Sequence, residues 1–395
     1  MEQTPNQELI TRIEEFQKKL RHKEIDLAII IDNINLYYFS GTVQAEYLCI
    51  PQQGEPVLLT RSGVERAKAE SNLANVIQFG SSKEIPEQLS RLGIESPSNL
   101  GLEIDVVAYQ DVLKVERIFG VEEVIGVTGL TRELRMIKSD YELQYVQKSA
   151  TQLAVIPELI KEHLREGISE LELSAIIEAE LRKSGHTGLI RMRGLNNEIT
   201  IGICAAGENA LQPVKTDALA GGSGTYPGVG IGPTERKIAA GELIVFDYVN
   251  NYHGYHVDQT RLAMIGQPST QIKELYQKMV RFQLELSNYL TVDHSWADIY
   301  QQSLQLAKEL GVSEYYLGFG DNQVRFVGHG VGLELNEFPF LAPGFDTKLQ
   351  AGMLVALEPK LLVPEIGLVG IENTYLITEG KAECLTTASS ELIIV

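Results

Sequence analysis

Apolar positions Leu9, Ile10, Ile13, Phe16 and Leu20 recur at helical spacing through residues 7–22, which predicts an amphipathic helix. DLAIIIDN follows as a short buried strand. INLYYFSG, EYLCIPQQ and EPVLLTR read as further strands separated by Gly, Pro or polar turns. Helical stretches at about 63–73, 84–92 and 107–117 then alternate with the strand-like runs NVIQFG, NLGLEID and EEVIGV. This alternation predicts a layered α/β domain over residues 1–128. The pattern changes after that point. Ser139, with Glu142 three positions on, has the spacing of a helix capping box. Helices near 139–165, 168–184 and 268–290 interleave with strands, so residues 129–395 read as an α+β domain.

Two of these later strand pairs carry facing acids. ELIVFDYV and YHVDQTRLAMIG flank the polar turn NNYHG, and the midpoint of Asp247 and Asp258 falls between Tyr252 and His253. The two aspartates are therefore expected opposite each other on one side of an antiparallel hairpin. MLVALEPK and LVGIENTYLIT repeat the arrangement around LLVPEIG, with Glu358 and Glu372 centred on Glu365. Like charges directly across a strand pair repel. Two such pairs in apolar strands need something positive between them, and a metal centre is the simplest answer. His329 lies in VGHGVG, where flanking glycines allow close backbone approach. Four carboxylates and one imidazole suit a pair of divalent ions about 3.5–4 Å apart, able to activate water and polarise a carbonyl. Oxygen-rich ligation favours Mn, with Co, Fe or Zn as alternatives. Thr260 and Thr374 lie two residues beyond Asp258 and Glu372, where each could hydrogen-bond a carboxylate. His253 reads as a turn residue. His256 shares a strand face with Asp258 and is a candidate substrate contact, a structural hydrogen bond being the other reading.

Composition narrows the class. A chain of 395 residues exceeds one hydrophobic core, and a hydrophobic content of 44% with 22% charged residues is ordinary for a globular protein. The formal charge of −19 argues against nucleic-acid or anionic-membrane partners. Cys49, Cys204 and Cys384 are widely spaced and form no disulfide or metal pattern, which fits a cytoplasmic location. The polar N-terminal stretch does not read as a signal peptide, and no apolar run reaches membrane-spanning length.

VFDYVNNYHGYHVDQTR, GHGVGLELNEFP, GMLVALEP and GIENTYLIT together resemble the motif series of the pita-bread metallopeptidase superfamily, which includes aminopeptidase P, prolidase, methionine aminopeptidase and creatinase. The resemblance extends to a creatinase/prolidase-type N-terminal domain over 1–128, which places the chain nearer the Xaa-Pro-cleaving branch. It implies a pita-bread catalytic domain, a dinuclear centre held by Asp247, Asp258, His329, Glu358 and Glu372, a proton-relay role for Glu358, and a homodimer. Two positions depart from the family pattern. GENALQPV ends in Val214 where a substrate-binding His is usual, and NEFP places Asn336 where the family reads HExP. Asn can donate a hydrogen bond but cannot carry a proton across, and Val can do neither.

Three functions follow as expectations. The first is a metal-dependent hydrolase cleaving short Xaa-Pro peptides. The second is a diverged, creatinase-like enzyme acting on a small non-peptide molecule, favoured by Val214 and Asn336. The third is a silent metal-binding scaffold, opposed by the retention of four acids that would otherwise be costly to bury.

Overall fold

The computed structural model describes residues 3–216, 218–219, 221–320 and 323–395, and divides into two compact units, residues 1–135 and 136–395. The first unit is built on a six-stranded mixed sheet of β1 (Leu27–Ile30), β2 (Tyr47–Pro51), β3 (Val57–Thr60), β4 (Asn75–Gln78), β5 (Leu100–Leu102) and β6 (Val124–Gly126). Its spatial order is β4-β3-β2-β1-β5-β6. The expected helix forms as α1 (Asn6–His22), which buries Leu9, Ile13, Phe16 and Leu20. INLYYFSG, expected as a strand, is instead α2 (Asn33–Ser40). Its ends explain the difference. The Asp32 side chain accepts from Ile34 N and Asn35 N, and Gly41 closes the helix in the left-handed conformation at φ 77°. A short run apolar on all sides carries no period that separates helix from strand. Helices α3 (Val64–Glu70), α4 (Ile85–Ser90), α5 (Tyr109–Phe119) and α6 (Thr128–Met136) complete the series.

In the second unit the capping box at Ser139 and Glu142 forms with both bonds in place. The single helix expected over 139–165 is two, α7 (Asp140–Leu153) and α8 (Ile156–His163). Pro157 supplies the reason, since it has no N–H for the Leu153 carbonyl and its ring crowds that group. Helices α9 (Glu170–Ser184) and α10 (Thr270–Ser287) lie where spacing puts them, and α11 (Trp296–Glu309) adds to them with its own Ser295/Asp298 capping box. One sheet contains β7 (Gly202–Ala206), β8 (Leu243–Tyr252) and β9 (Tyr255–Met264), with Ile393–Ile394 along its edge. A second contains β10 (Gly328–Gly330), β11 (Glu337–Phe340), β12 (Leu354–Leu357) and β15 (Asn373–Leu376), and between the last two runs the hairpin β13 (Lys360–Val363) to β14 (Gly367–Gly370).

The two sheets are tied where the acids lie. Thr374 Oγ1 donates to the Asp258 carbonyl at 2.9 Å and accepts from Asp258 N at 3.1 Å. Behind them the fully buried Arg261 donates to the carbonyls of Thr260 and Glu372, to Asn373 Oδ1 and to the carbonyls of Ala388 and Ser389.

Candidate metal centre

Strand register decides which acids meet. The β8–β9 hairpin turns at His253 and Gly254, both at positive φ (51° and 90°), a tight two-residue connection. Pairing therefore runs out to Tyr252 and Tyr255, and Asp247 faces Thr260 while Asp258 faces Val249. The direct Asp247–Asp258 opposition expected from the sequence is corrected to a stagger of two residues. Because side chains alternate with period two, both aspartates stay on the same sheet face. In the other pair Leu357 faces Asn373 and Lys360 faces Gly370, so the intervening Glu358 and Glu372 lie opposite each other, centred on Glu365 as expected. His329 arrives on β10. Its flanking glycines admit neighbouring strands, since a Cβ at Gly328 would lie 2.4 Å from Ala356 O and one at Gly330 2.1 Å from Phe338 O.

All five expected ligands line one cavity of ≈ 390 Å³, with apolar walls from Ile199, Ile203, Leu219, Phe340 and Phe345. A cation lies among the acids, and sequence reasoning missed it. Lys360 Nζ donates to Asp247 Oδ2, Glu358 Oε2 and Glu372 Oε2, each at 2.9 Å. The signal was available in the chain: Lys360 lies two residues from Glu358, hence on its face, in the otherwise apolar run KLLV. The remaining geometry is tight. Thr260 Oγ1 donates to Glu372 Oε2 at 2.7 Å, as expected of it, whereas Thr374 serves the backbone of Asp258 rather than a carboxylate. His329 Nε2 lies 3.6 Å from Glu358 Oε1.

Electrostatics follow from four acids sharing little solvent. Burial, then the charges of Glu372 and Asp247, hold the Asp258 carboxyl well above its ordinary range. Burial pushes Glu372 up to about 7; Lys360 opposes the shift, and Glu358 and Asp247 add to it. For Lys360, burial acts to lower the ammonium's pKa, but the charges of Asp247, Glu358 and Glu372 outweigh it and hold the group well above its usual value. The residues fit one divalent ion. Ligand atoms of Asp258, His329 and Glu372 lie within 4.8 Å of one another. Asp258 Oδ1 and Glu372 Oε1 are buried without a hydrogen-bond partner among the described residues.

Two expected substrate contacts, His256 and Val214, are not among the residues lining the cavity. His256 is fully buried. Its Nδ1 pairs with Gly332 O at 2.8 Å, and its Nε2 meets Asn251 Nδ2 at 2.9 Å and Arg191 N at 3.2 Å. Burial lowers its pKa to about 4, so it is a neutral structural imidazole. Val214 is half-buried against the main core, and the cavity wall is reached by Ala218 and Leu219 further along the same segment. Asn336 does line the cavity. Its amide is paired with the Arg193 backbone, Nδ2 donating to the carbonyl at 3.0 Å and Oδ1 accepting from the N–H at 2.8 Å.

Residues 145–379 match the model of metallopeptidase family M24, and residues 12–137 match the creatinase/prolidase N-terminal domain. The chain belongs to metallopeptidase family M24. Its class is accordingly metallohydrolase, and its fold is the creatinase-type α/β domain followed by the α+β pita-bread domain. It is 29% identical to an Xaa-Pro dipeptidase of Pyrococcus furiosus, over 97% of this chain and 99% of that protein. Among solved structures it is similar to an Xaa-Pro dipeptidase from Bacillus anthracis, with a TM-score of 0.83 and 27% identity, covering 98% of this chain and 100% of that one. The prolidase from Pyrococcus horikoshii aligns with a TM-score of 0.79 and 26% identity, covering 97% and 100%.

Proposed function

We propose that this M24 member is a metal-dependent hydrolase of Xaa-Pro peptides. The observation that carries the reading is the pair of buried oxygens, Asp258 Oδ1 and Glu372 Oε1, unpartnered among the described residues and beside His329 in a largely apolar cavity. A divalent ion held there, manganese first, supplies Lewis acidity that polarises a scissile carbonyl and acidifies water. The chain's own residues do the rest. Glu358 is fixed through Oε2 by Lys360 and keeps Oε1 toward His329, so it is the group placed to take a proton from water and return it to the leaving nitrogen. Ile203, Phe340 and Phe345 offer an apolar surface to a pyrrolidine ring and exclude water from it.

A panel of Xaa-Pro dipeptides and tripeptides with matched peptides lacking proline, assayed for release of the N-terminal residue with Mn²⁺ added, tests the reading. Turnover confined to proline-containing members is expected. A folded, metal-loaded protein inert toward the whole panel would overturn it. A second reading, a small non-peptide amide as substrate, is favoured by Asn336, whose amide is committed on both atoms to Arg193. Turnover of such amides with none of peptides would establish that reading instead. The three unpaired cysteines support a cytoplasmic setting, and the family resemblance supports a homodimer, which sedimentation would check.

A further inference from the structure

The acid pairs call for positive charge, and part of it comes from the chain. An ammonium has three donors. Those of Lys360 are all taken, by carboxylates from three separate segments. The side chain is not a surface lysine folded inward, since Lys360 is 3% exposed. Its accommodation is built into the strand opposite. Gly370 is its cross-strand partner, and a Cβ there would lie 2.5 Å from Lys360 Cγ.

The space so filled is where a second ion would bind. An ion held by Asp247 would use the carboxylate oxygens of Asp247 and Glu372 at about 2.0–2.2 Å. Asp247 Oδ2 and Glu372 Oε2 already hold Lys360 Nζ at 2.9 Å, so ion and ammonium would overlap or repel as like charges. Among the oxygens that Lys360 leaves unused, Asp258 Oδ1 and Glu372 Oε1 are buried without a partner among the described residues, and both residues belong to the group with His329.

We infer that Lys360 is a covalently tethered cation in place of one ion of a two-metal centre, so that the site binds a single divalent ion at Asp258, His329 and Glu372. The inference rests on the reading of those three residues as an ion site, and not on the identity of the substrate. It departs from the two-ion expectation drawn from the sequence. Four carboxylates balanced by one divalent ion and one lysine stay close to neutral, and chelation removes only the ion.

The test is metal stoichiometry with a spectroscopic readout. Full-length protein stripped with chelator is equilibrated with Mn²⁺, bound metal is counted against protein, and the electron paramagnetic resonance spectrum is recorded. Wild type is expected to bind one Mn²⁺ per chain, with the hyperfine-resolved spectrum of an isolated ion. Lys360→Gly is expected to bind two, with the broadened spectrum of an exchange-coupled pair. Two coupled ions in wild type would overturn the inference, as would a folded Lys360→Gly that still binds only one. No bound ion in wild type would overturn the inference and the ion-site reading together. One bound ion without Xaa-Pro turnover would leave the inference standing and remove only the proposed substrate. If Lys360→Gly does not fold, the wild-type count and spectrum decide alone.

Discussion

Glu358 shows how one residue's two oxygens can have separate tasks. Oε2 is held by Lys360 at 2.9 Å, and Oε1 lies 3.6 Å from His329 Nε2. Glu358→Gln keeps the shape and removes the proton acceptor. It is expected to lower kcat on an Xaa-Pro peptide by on the order of 10²–10⁴-fold, with bound Mn²⁺ unchanged when both are measured on one preparation. Retained turnover would move the proton transfer to another group. Glu103 in the first unit poses the same question of charge without catalysis. It accepts from Ile31 N at 2.8 Å, Asp32 N at 2.9 Å and the Asn35 amide. Burial, reinforced by the charge of Asp32, pushes it up from 4.5 to about 7. Between those values the folded state holds a proton that the unfolded state has lost. Its contribution is therefore fully present below pH 4.5 and declines as pH rises through about 7. Relative to Glu103→Gln, wild type is expected to lose on the order of 3 kcal/mol across that window. Parallel denaturation curves of the two proteins at every pH would refute it.

At the scale of elements, the site depends on two hairpins, and each has a glycine that cannot be replaced freely. Gly254 closes β8–β9 at φ 90°, a conformation that costs an L-residue roughly 1–2 kcal/mol. Gly254→Ala should lower the denaturation midpoint by a matching amount, and an unchanged midpoint would show that the turn relaxes. Gly370 differs, because its φ is not the constraint and the neighbour is. An alanine methyl there would meet the Lys360 stem, an overpacking that costs about 1–3 kcal/mol. The expected result for Gly370→Ala is lower stability together with altered Mn²⁺ affinity, read by titration. Lost stability with unaltered affinity would show that the Lys360 ammonium keeps its place.

The whole molecule has two units with separate cores, one around the β1–β6 sheet and one beneath β7–β15. Every candidate ligand belongs to the second. An ion bound by Asp258 and Glu372 joins the segments that Thr374 and Arg261 already tie together. Mn²⁺ is therefore expected to slow amide hydrogen exchange in β9 and β15 and to leave β1–β6 unaffected, as read by mass spectrometry. Equal slowing in both units would mean that binding tightens the chain as a whole rather than this junction.

How much of this was legible in the chain depends on which physical rule carried each inference. Alternation along a strand is strictly period two, so the acids' shared face survived a misjudgement of the Asp247–Asp258 register by two residues. Glu358 and Glu372 came out in register because the centre of their hairpin was placed correctly at Glu365. Helix signals that act locally, such as the Ser139 capping box and the face of α1, needed no tertiary information. INLYYFSG had no period to read, and only its packing and its Asp32 and Gly41 ends made it a helix. His256 passed the parity rule yet faces Asn251, Arg191 and Gly332, because parity assigns a face and not the neighbours that cover it. Lys360 is the sharpest case. The sequence alone required positive charge between the acids, but whether an ion or a side chain supplies it depends on where β8, β12, β13 and β15 converge. That convergence is set by long-range sheet pairing, to which local pattern is blind.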